Sequence, residues 1–458
     1  YAGSSTAITV TLGVGGAQTI GAGGDAAGDK ISNIENIVGS KGNDILTGNE
    51  LDNVLDGGEG NDTIQGGAGA DTLIGGAGIN TLSYAVDLST QVVSGGDAEG
   101  DTISDFQNAT GGSGKDILTG DGGANTLLGG AGNDSLIGGA GNDILDGGDD
   151  DDLLDGGDGD DKISGGAGND TVTYASALAG VTVSLAVTSA QATGGAGKDT
   201  LSTIENITGT AFNDKLTGDK NGNRLDGDDG NDTIAGGAGA DVLIGGAGID
   251  TLDYSTSSLG VTVTLGAGGN ETTGTGGDAD GDAISEFENI IGGGGADILT
   301  GNELKNTLSG GNGNDLLEGG EGADTLDGGA GIDTATYANS YAGVSITLNN
   351  GALAAAADGG HATGDILTNV ENLVGSDFDD TLVGNSAANK LEGGNGNDII
   401  DGGLGDDVLS GGAGIDTVSF GSATSAVTAN LGTGSATGGA GTDASRGFQN
   451  LTGSKINE

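Results

Sequence analysis

A nine-residue period dominates this chain, and a period that short can build a domain only by stacking each copy on the next. From Gly57 the sequence runs GGEGNDTIQ, GGAGADTLI, GGAGINTLS. The phrase recurs without gaps in five blocks, 39–83, 111–173, 209–253, 292–336 and 375–419, which hold 5, 7, 5, 5 and 5 nonapeptides, 27 in all. The eighth position is Leu, Ile or Val in every copy except Ala335. The sixth is Asp in 21 and Asn in the other six: Asn53, Asn80, Asn125, Asn223, Asn306 and Asn389.

A second, much longer period contains the first. An aromatic opens each unit (Tyr1, Tyr84, Tyr174, Tyr254, Tyr337, Phe420), and a spacer leads into the block. The units are 1–83 (spacer 1–38, block 39–83), 84–173, 174–253, 254–336, 337–419 and a partial 420–458. Spacers carry alternating apolar stretches, GVTVSL at 180–185, GVTVTL at 260–265 and GVSITL at 343–348, which read as strands with one buried face. They close on phrases such as SNIENIVG at 32–39 and STIENITG at 202–209. Unit two has two extra nonapeptides. If two nonapeptides make one coil, a pair is the natural quantum of insertion, because every face keeps its phase. GGAGKDTLS at 194–202 and GGAGTDASR at 438–446 look like nonapeptides inside spacers, so the coil is expected to run through them.

Composition alone argues for disorder: Gly is 104 of 458 residues, and 68 acidic residues face 12 basic ones, for a net charge of −56. The periodicity overrides that reading. No apolar run reaches membrane-spanning length, and the acidic balance argues against nucleic acid as a partner. Cys is absent, which decides little. The chain begins with Tyr, has no charged-then-apolar leader and breaks off at GSKINE, so a longer parent with further copies is expected.

The chemistry of the nonapeptide follows from its residues. GGxGxD must turn sharply, and Gly takes positive φ at little cost. Such turns gather backbone carbonyls, the Asp adds a carboxylate, and hard oxygen donors suit Ca²⁺. One turn cannot saturate a six- to eight-coordinate ion, so calcium is expected between stacked turns. Roughly one ion per complete nonapeptide would cancel most of the negative charge. The next three residues form a minimal strand with one inward aliphatic side chain, stacked about 4.8 Å from its neighbour.

The GGxGxDxUx pattern resembles the RTX family of calcium-binding repeats. The resemblance implies an all-β fold, a right-handed parallel β-roll or β-solenoid with two nonapeptides per turn and calcium between turns. It also implies type I secretion and calcium-triggered folding outside the cell. The ligand role is carried only to the copies of strict form: Asp62, Asp71, Asp116, Asp134, Asp143, Asp161, Asp170, Asp241, Asp250, Asp297, Asp315, Asp324, Asp333, Asp398, Asp407 and Asp416. The second nonapeptide of each block (GNELDN, GDGGAN, GDKNGN, GNELKN, GNSAAN) departs and is not expected to hold metal. Phe212 and Phe378 at block entrances suggest hydrophobic caps there. The opening aromatics are expected to be packing plugs, Phe106, Phe287 and Phe448 to be core, and His361 an exposed loop residue.

No catalytic constellation is visible: no HExxH, GxSxG or nucleotide-binding loop occurs. The expected function is that of a secreted, non-catalytic structural protein with several Ca²⁺ ions. It would self-associate into a filament or surface layer at the bacterial cell surface. An adhesin stalk, a module binding cell-surface polysaccharide, and the secretion tail of a larger enzyme are the alternatives.

Overall fold

The computed structural model describes residues 1–84, 86–87, 92–93, 102–350 and 355–454. Strands and short turns make up the described residues, with no α-helix among them and no helix long and apolar enough to cross a membrane. The chain divides into two compact units, Tyr1–Leu216 and Thr217–Glu458, each built the same way.

The last three residues of each nonapeptide form a strand, as in Ile45–Thr47, Val54–Asp56 and Thr63–Gln65. Pairing skips one copy. Leu46 lies beside Ile64, and Leu55 beside Leu73, in parallel ladders whose rungs are offset by two nonapeptides. Two nonapeptides therefore make one coil. Odd and even copies build two facing sheets, and the eighth residue of every copy points between them. Leu46, Leu55, Leu299 and Leu326 are all 0 % exposed. The pair of extra nonapeptides in the block 111–173 is one whole coil: Thr126–Ala131, Ile144–Asp149 and Lys162–Ala167 stack in a single register.

The coil runs on through the spacers. Gly197–Ser202 continues the ladder over Lys162–Ala167, and Gly441–Arg446 does so over Val408–Ala413. Each of the better described spacers also makes one detour. Between the blocks 292–336 and 375–419, Thr325–Asp327 pairs with Ile366–Thr368. That strand pairs antiparallel with Ala355–Asp358, which pairs antiparallel with Ser345–Thr347, and the parallel ladder resumes at Thr381–Val383. On the opposite sheet, Thr334–Thr336, Asn372–Val374 and Lys390–Asn395 succeed one another without interruption. Because a block holds an odd number of nonapeptides, the detour changes sheet from one spacer to the next. Within Thr217–Glu458 it lies on the sheet of Thr325–Asp327 at one spacer and on the other sheet, beside Gly441–Arg446, at the next.

The apolar spacer stretches form strands, Thr182–Ser184, Thr262–Thr264 and Ser345–Thr347, with Val181, Val183, Val261, Val263, Val344 and Ile346 buried. Tyr174, Tyr254, Tyr337 and Phe420 are buried plugs, and Phe106 and Phe287 are core. Phe448 is only half-buried, and Ile34, its counterpart in the first spacer, is 46 % exposed. His361 sits half-buried in a single 3-10 turn, edge-on to Tyr341 at 5.0 Å, rather than free in a loop.

The two faces of one strand should separate in a stability measurement. Leu299→Ala is expected to cost about 2–5 kcal/mol in denaturant unfolding of the calcium-loaded protein. Ile298→Ala, at a 44 % exposed neighbour, is expected to change it by less than about 0.5 kcal/mol.

Candidate metal centre

The turns owe their shape to positions two and four of the nonapeptide. Gly58 and Gly60 have φ of 97° and 125°, and Gly320 and Gly322 have 94° and 135°. Where Gly is missing, Asp stands in at Asp150 and Asp228, with φ of 76° and 70°. Asp is one of the few side chains that tolerates this region. Successive turns are laced together: the Ala77 amide donates to the Gly58 carbonyl and the Gly60 amide to the Ala77 carbonyl, both at 2.8 Å.

Position six supplies a second ladder. The amide of Asp44 donates to Asp62 Oδ1, that of Asp116 to Asp134 Oδ1 and that of Asp297 to Asp315 Oδ1, at 2.7–2.8 Å, and the pattern recurs coil after coil. These carboxylates are buried, most of them 0–2 % exposed. Their other oxygen is left over. Oδ2 is buried without a donor in Asp62, Asp134, Asp143, Asp152, Asp161, Asp170, Asp241, Asp250, Asp315, Asp324, Asp333, Asp398, Asp407 and Asp416. It faces the first glycine of its own repeat. A Cβ on Gly57 would come within 3.0 Å of both Asp62 Oδ2 and the carbonyl oxygen of Gly75, one coil further on. Gly310 stands in the same relation to Asp315 Oδ2 and the Gly328 carbonyl.

A buried anionic oxygen beside a carbonyl oxygen, with no N–H or O–H between them, is unfavourable unless a cation joins them. Among the described residues no three His, Cys, Asp or Glu side chains converge on a metal position. A ligand set here is therefore one carboxylate per turn completed by backbone carbonyls, all hard oxygens, which fits Ca²⁺ and not a soft or imidazole-seeking metal.

Asp71 is buried at the same place in its turn, and its Oδ1 accepts the Asn53 amide. Of the other strict-pattern residues, Asp116 and Asp297 differ: their Oδ2 accepts the amides of Gly112 and Gly293 at 2.6 and 2.7 Å. They open their blocks, and the turn closes on itself there. The other entrances do likewise. Ser40, Thr210 and Ser376 donate amide and hydroxyl to Asp44, Asp214 and Asp380. Phe212 and Phe378 are 46 % exposed, so hydroxyl–carboxylate bonding and not an apolar cap seals these entrances.

Asp152 and Asp232 occupy the buried sixth position although their turns break the strict pattern. The signal was present in the sequence, since Asp can replace Gly where φ is positive. Side-chain amides close the second nonapeptides. Asn306 Oδ1 accepts the Asn302 amide, and Asn306 Nδ2 donates to Asn302 Oδ1 at 3.1 Å and to the Glu288 carbonyl at 2.7 Å. Asn125 and Asn389 donate likewise to the Gln107 and Glu371 carbonyls. In each, an amide N–H₂ supplies the donor that a carboxylate lacks.

The spacers contribute rungs as well. Asp199, Asp282, Asp365 and Asp443 accept the amides of Asp161, Asp241, Asp324 and Asp407. Asp199 and Asp443 fall in the two spacer nonapeptides of clear pattern, whereas Asp282 and Asp365 lie in GDADGDAIS and GHATGDILT, where only the first glycine and a G-D-x-Ile/Leu core survive. Two of these aspartates satisfy Oδ2 with a plug: Tyr254 Oη donates to Asp282 at 2.7 Å and Tyr337 Oη to Asp365 at 2.8 Å.

A parallel roll with a carboxylate and carbonyls at each stacked turn defines a calcium-binding repeat protein. The family described as RTX calcium-binding nonapeptide repeat (4 copies) matches residues 32–50, 47–82, 110–145, 137–172, 217–252, 286–303, 300–335, 370–398 and 383–418, more than half of the chain. The chain belongs to that family, and its repeats bind multiple Ca²⁺ ions. No curated protein matches it.

Burial lifts the carboxyls of Asp143 and Asp241 to about 6 and those of Asp161, Asp324 and Asp407 to about 7. The amide bonds oppose the shift and neighbouring carboxylates reinforce it. Unfolded, the same groups titrate at 3.8. The metal-free folded chain thus binds more protons between those values, and its stability falls as pH rises through them. In EGTA, strand content by circular dichroism is expected to grow as pH is lowered from about 7.5 to about 5. Strand content that instead rises with pH would contradict this.

Proposed function

We propose that this is an extracellular, non-catalytic structural protein that folds only when calcium fills its turns. The observation that carries the reading is the column of buried carboxylates whose Oδ2 has no donor. Such a column resists folding until cations arrive. Extracellular calcium modules bind on the order of 10⁻⁴–10⁻³ M, so a chain of this kind stays unfolded and exportable in a calcium-poor cytosol and coils outside.

The structural role rests on the repeats running through all the units of these 458 residues. The one histidine, His361, packs edge-on to Tyr341. Side-by-side or end-to-end association into a filament or surface layer suits a protein whose stability accrues coil upon coil.

Circular dichroism with and without EGTA at neutral pH tests the first part, and electron microscopy of the concentrated protein in millimolar calcium tests the second. The expected results are a disordered spectrum on chelation, strand structure on adding calcium, and fibres or sheets in the images. A strand-rich spectrum in EGTA would sink the calcium gate. Dispersed monomers at high concentration would sink the assembly.

A further inference from the structure

We infer that the spacer turn S/T-x-Φ-E-N builds one extra calcium site at the end of a block, outside any nonapeptide pair. The last aspartate of the block supplies one half of the site. The turn supplies the other half, a backbone carbonyl and a glutamate. The inference rests on the calcium reading above and extends it to residues that lie outside the repeat pattern.

Three junctions carry it. At the first, Asp170 is 0 % exposed and its Oδ2 has no donor. A Cβ on Gly165 would come within 3.0 Å of both that oxygen and the Thr203 carbonyl. The Thr203 carbonyl thus takes the place that the next coil's first glycine takes inside a block. Asp333 Oδ2 and the Asn369 carbonyl repeat the arrangement around Gly328, and at Gly245 the Glu286 carbonyl stands beside the Asp250 side chain. The carbonyl is aimed by backbone strain: Thr203, Glu286 and Asn369 have φ of 48°, 62° and 51°. For a β-branched Thr this is an unfavourable conformation. The glutamate takes the part of the next aspartate. Glu205, Glu288 and Glu371 accept the amides of Asp170, Asp250 and Asp333 at 2.8–2.9 Å, placing a second carboxylate beside the first.

The first block contains its own control. Its last repeat carries Asn80 at the sixth position, and its spacer carries Gln107 in place of Glu. Gln107 Oε1 accepts the Asn80 amide at 3.0 Å. Asn80 Nδ2 donates to the carbonyls of Gly76 and Asp105 at 3.2 and 3.1 Å, and Asp105 is the positive-φ residue of that turn. An amide N–H₂ thus joins the oxygens that the other three junctions leave facing one another. At the end of the fifth block only the second partner changes: Asp416 keeps its carboxylate, and Gln449 Oε1 accepts its amide at 2.6 Å.

Native mass spectrometry of the calcium-saturated full chain counts bound ions and tests this. The pair Asp250→Asn with Glu288→Gln copies the first block, and it is expected to leave the strand spectrum intact and lower the count by one. The reverse pair, Asn80→Asp with Gln107→Glu, is expected to raise it by one. An unchanged count for a folded Asp250→Asn, Glu288→Gln chain would overturn the proposal while leaving the nonapeptide sites standing. Should that variant fail to fold, an unchanged count in the reverse variant overturns it equally. A parent chain that binds no calcium would remove the family reading and this proposal with it.

Discussion

Most turns inside the blocks bury a carboxylate with one oxygen bonded to the chain, and in residues such as Asp62, Asp143, Asp315 and Asp324 the second oxygen has no donor. Stacked about 4.8 Å apart, neighbouring carboxylates repel by on the order of 3 kcal/mol per pair at an effective dielectric of about 20. The loss recurs at every coil. No rearrangement within a turn removes it, because the first glycine's position holds the Oδ2 against the next coil's carbonyl. A divalent cation turns the repulsion into a bond between coils. The hydrophobic seam alone is thin, one aliphatic side chain per nonapeptide.

The rungs that close without calcium follow the same rule from the other side. Asn306, Asn125 and Asn389 bring an N–H₂ to the turn, Ser40, Thr210 and Ser376 bring a hydroxyl, and Tyr254 and Tyr337 reach in with a phenol. The hydroxyl residues lie at block entrances, the asparagines in the next nonapeptide and the tyrosines within spacers. The carboxylates whose Oδ2 has no donor lie from the third nonapeptide of each block onward, so self-closing segments alternate with segments whose carboxylates lack a donor.

Much of this was legible in the nine-residue period. The eighth-position core, the coil of two nonapeptides and most carboxylate positions follow from counting. What stayed hidden depended on conformation or on long separations. Asp152 sits in a turn where Asp150 adopts the glycine conformation, so a pattern that demanded Gly passed it over. Asp282 and Asp365 lie in spacer copies so worn that little beyond G-D-x-Ile/Leu remains. Glu288 meets Asp250 from the far side of a spacer, and no local spacing announces that contact. Phe448 was legible as core by analogy with Phe106 and Phe287, yet it is only half-buried.

The central claim concerns where the cations sit, and anomalous scattering from crystals of the calcium-loaded chain locates them directly. The account requires a calcium peak between Oδ2 of the interior aspartates, such as Asp62 or Asp315, and the first-glycine carbonyl one coil on. It requires none beside Asn53, Asn125, Asn306 or Asn389. Calcium on the outer acidic faces with the turns empty, or peaks beside those asparagines, would contradict it.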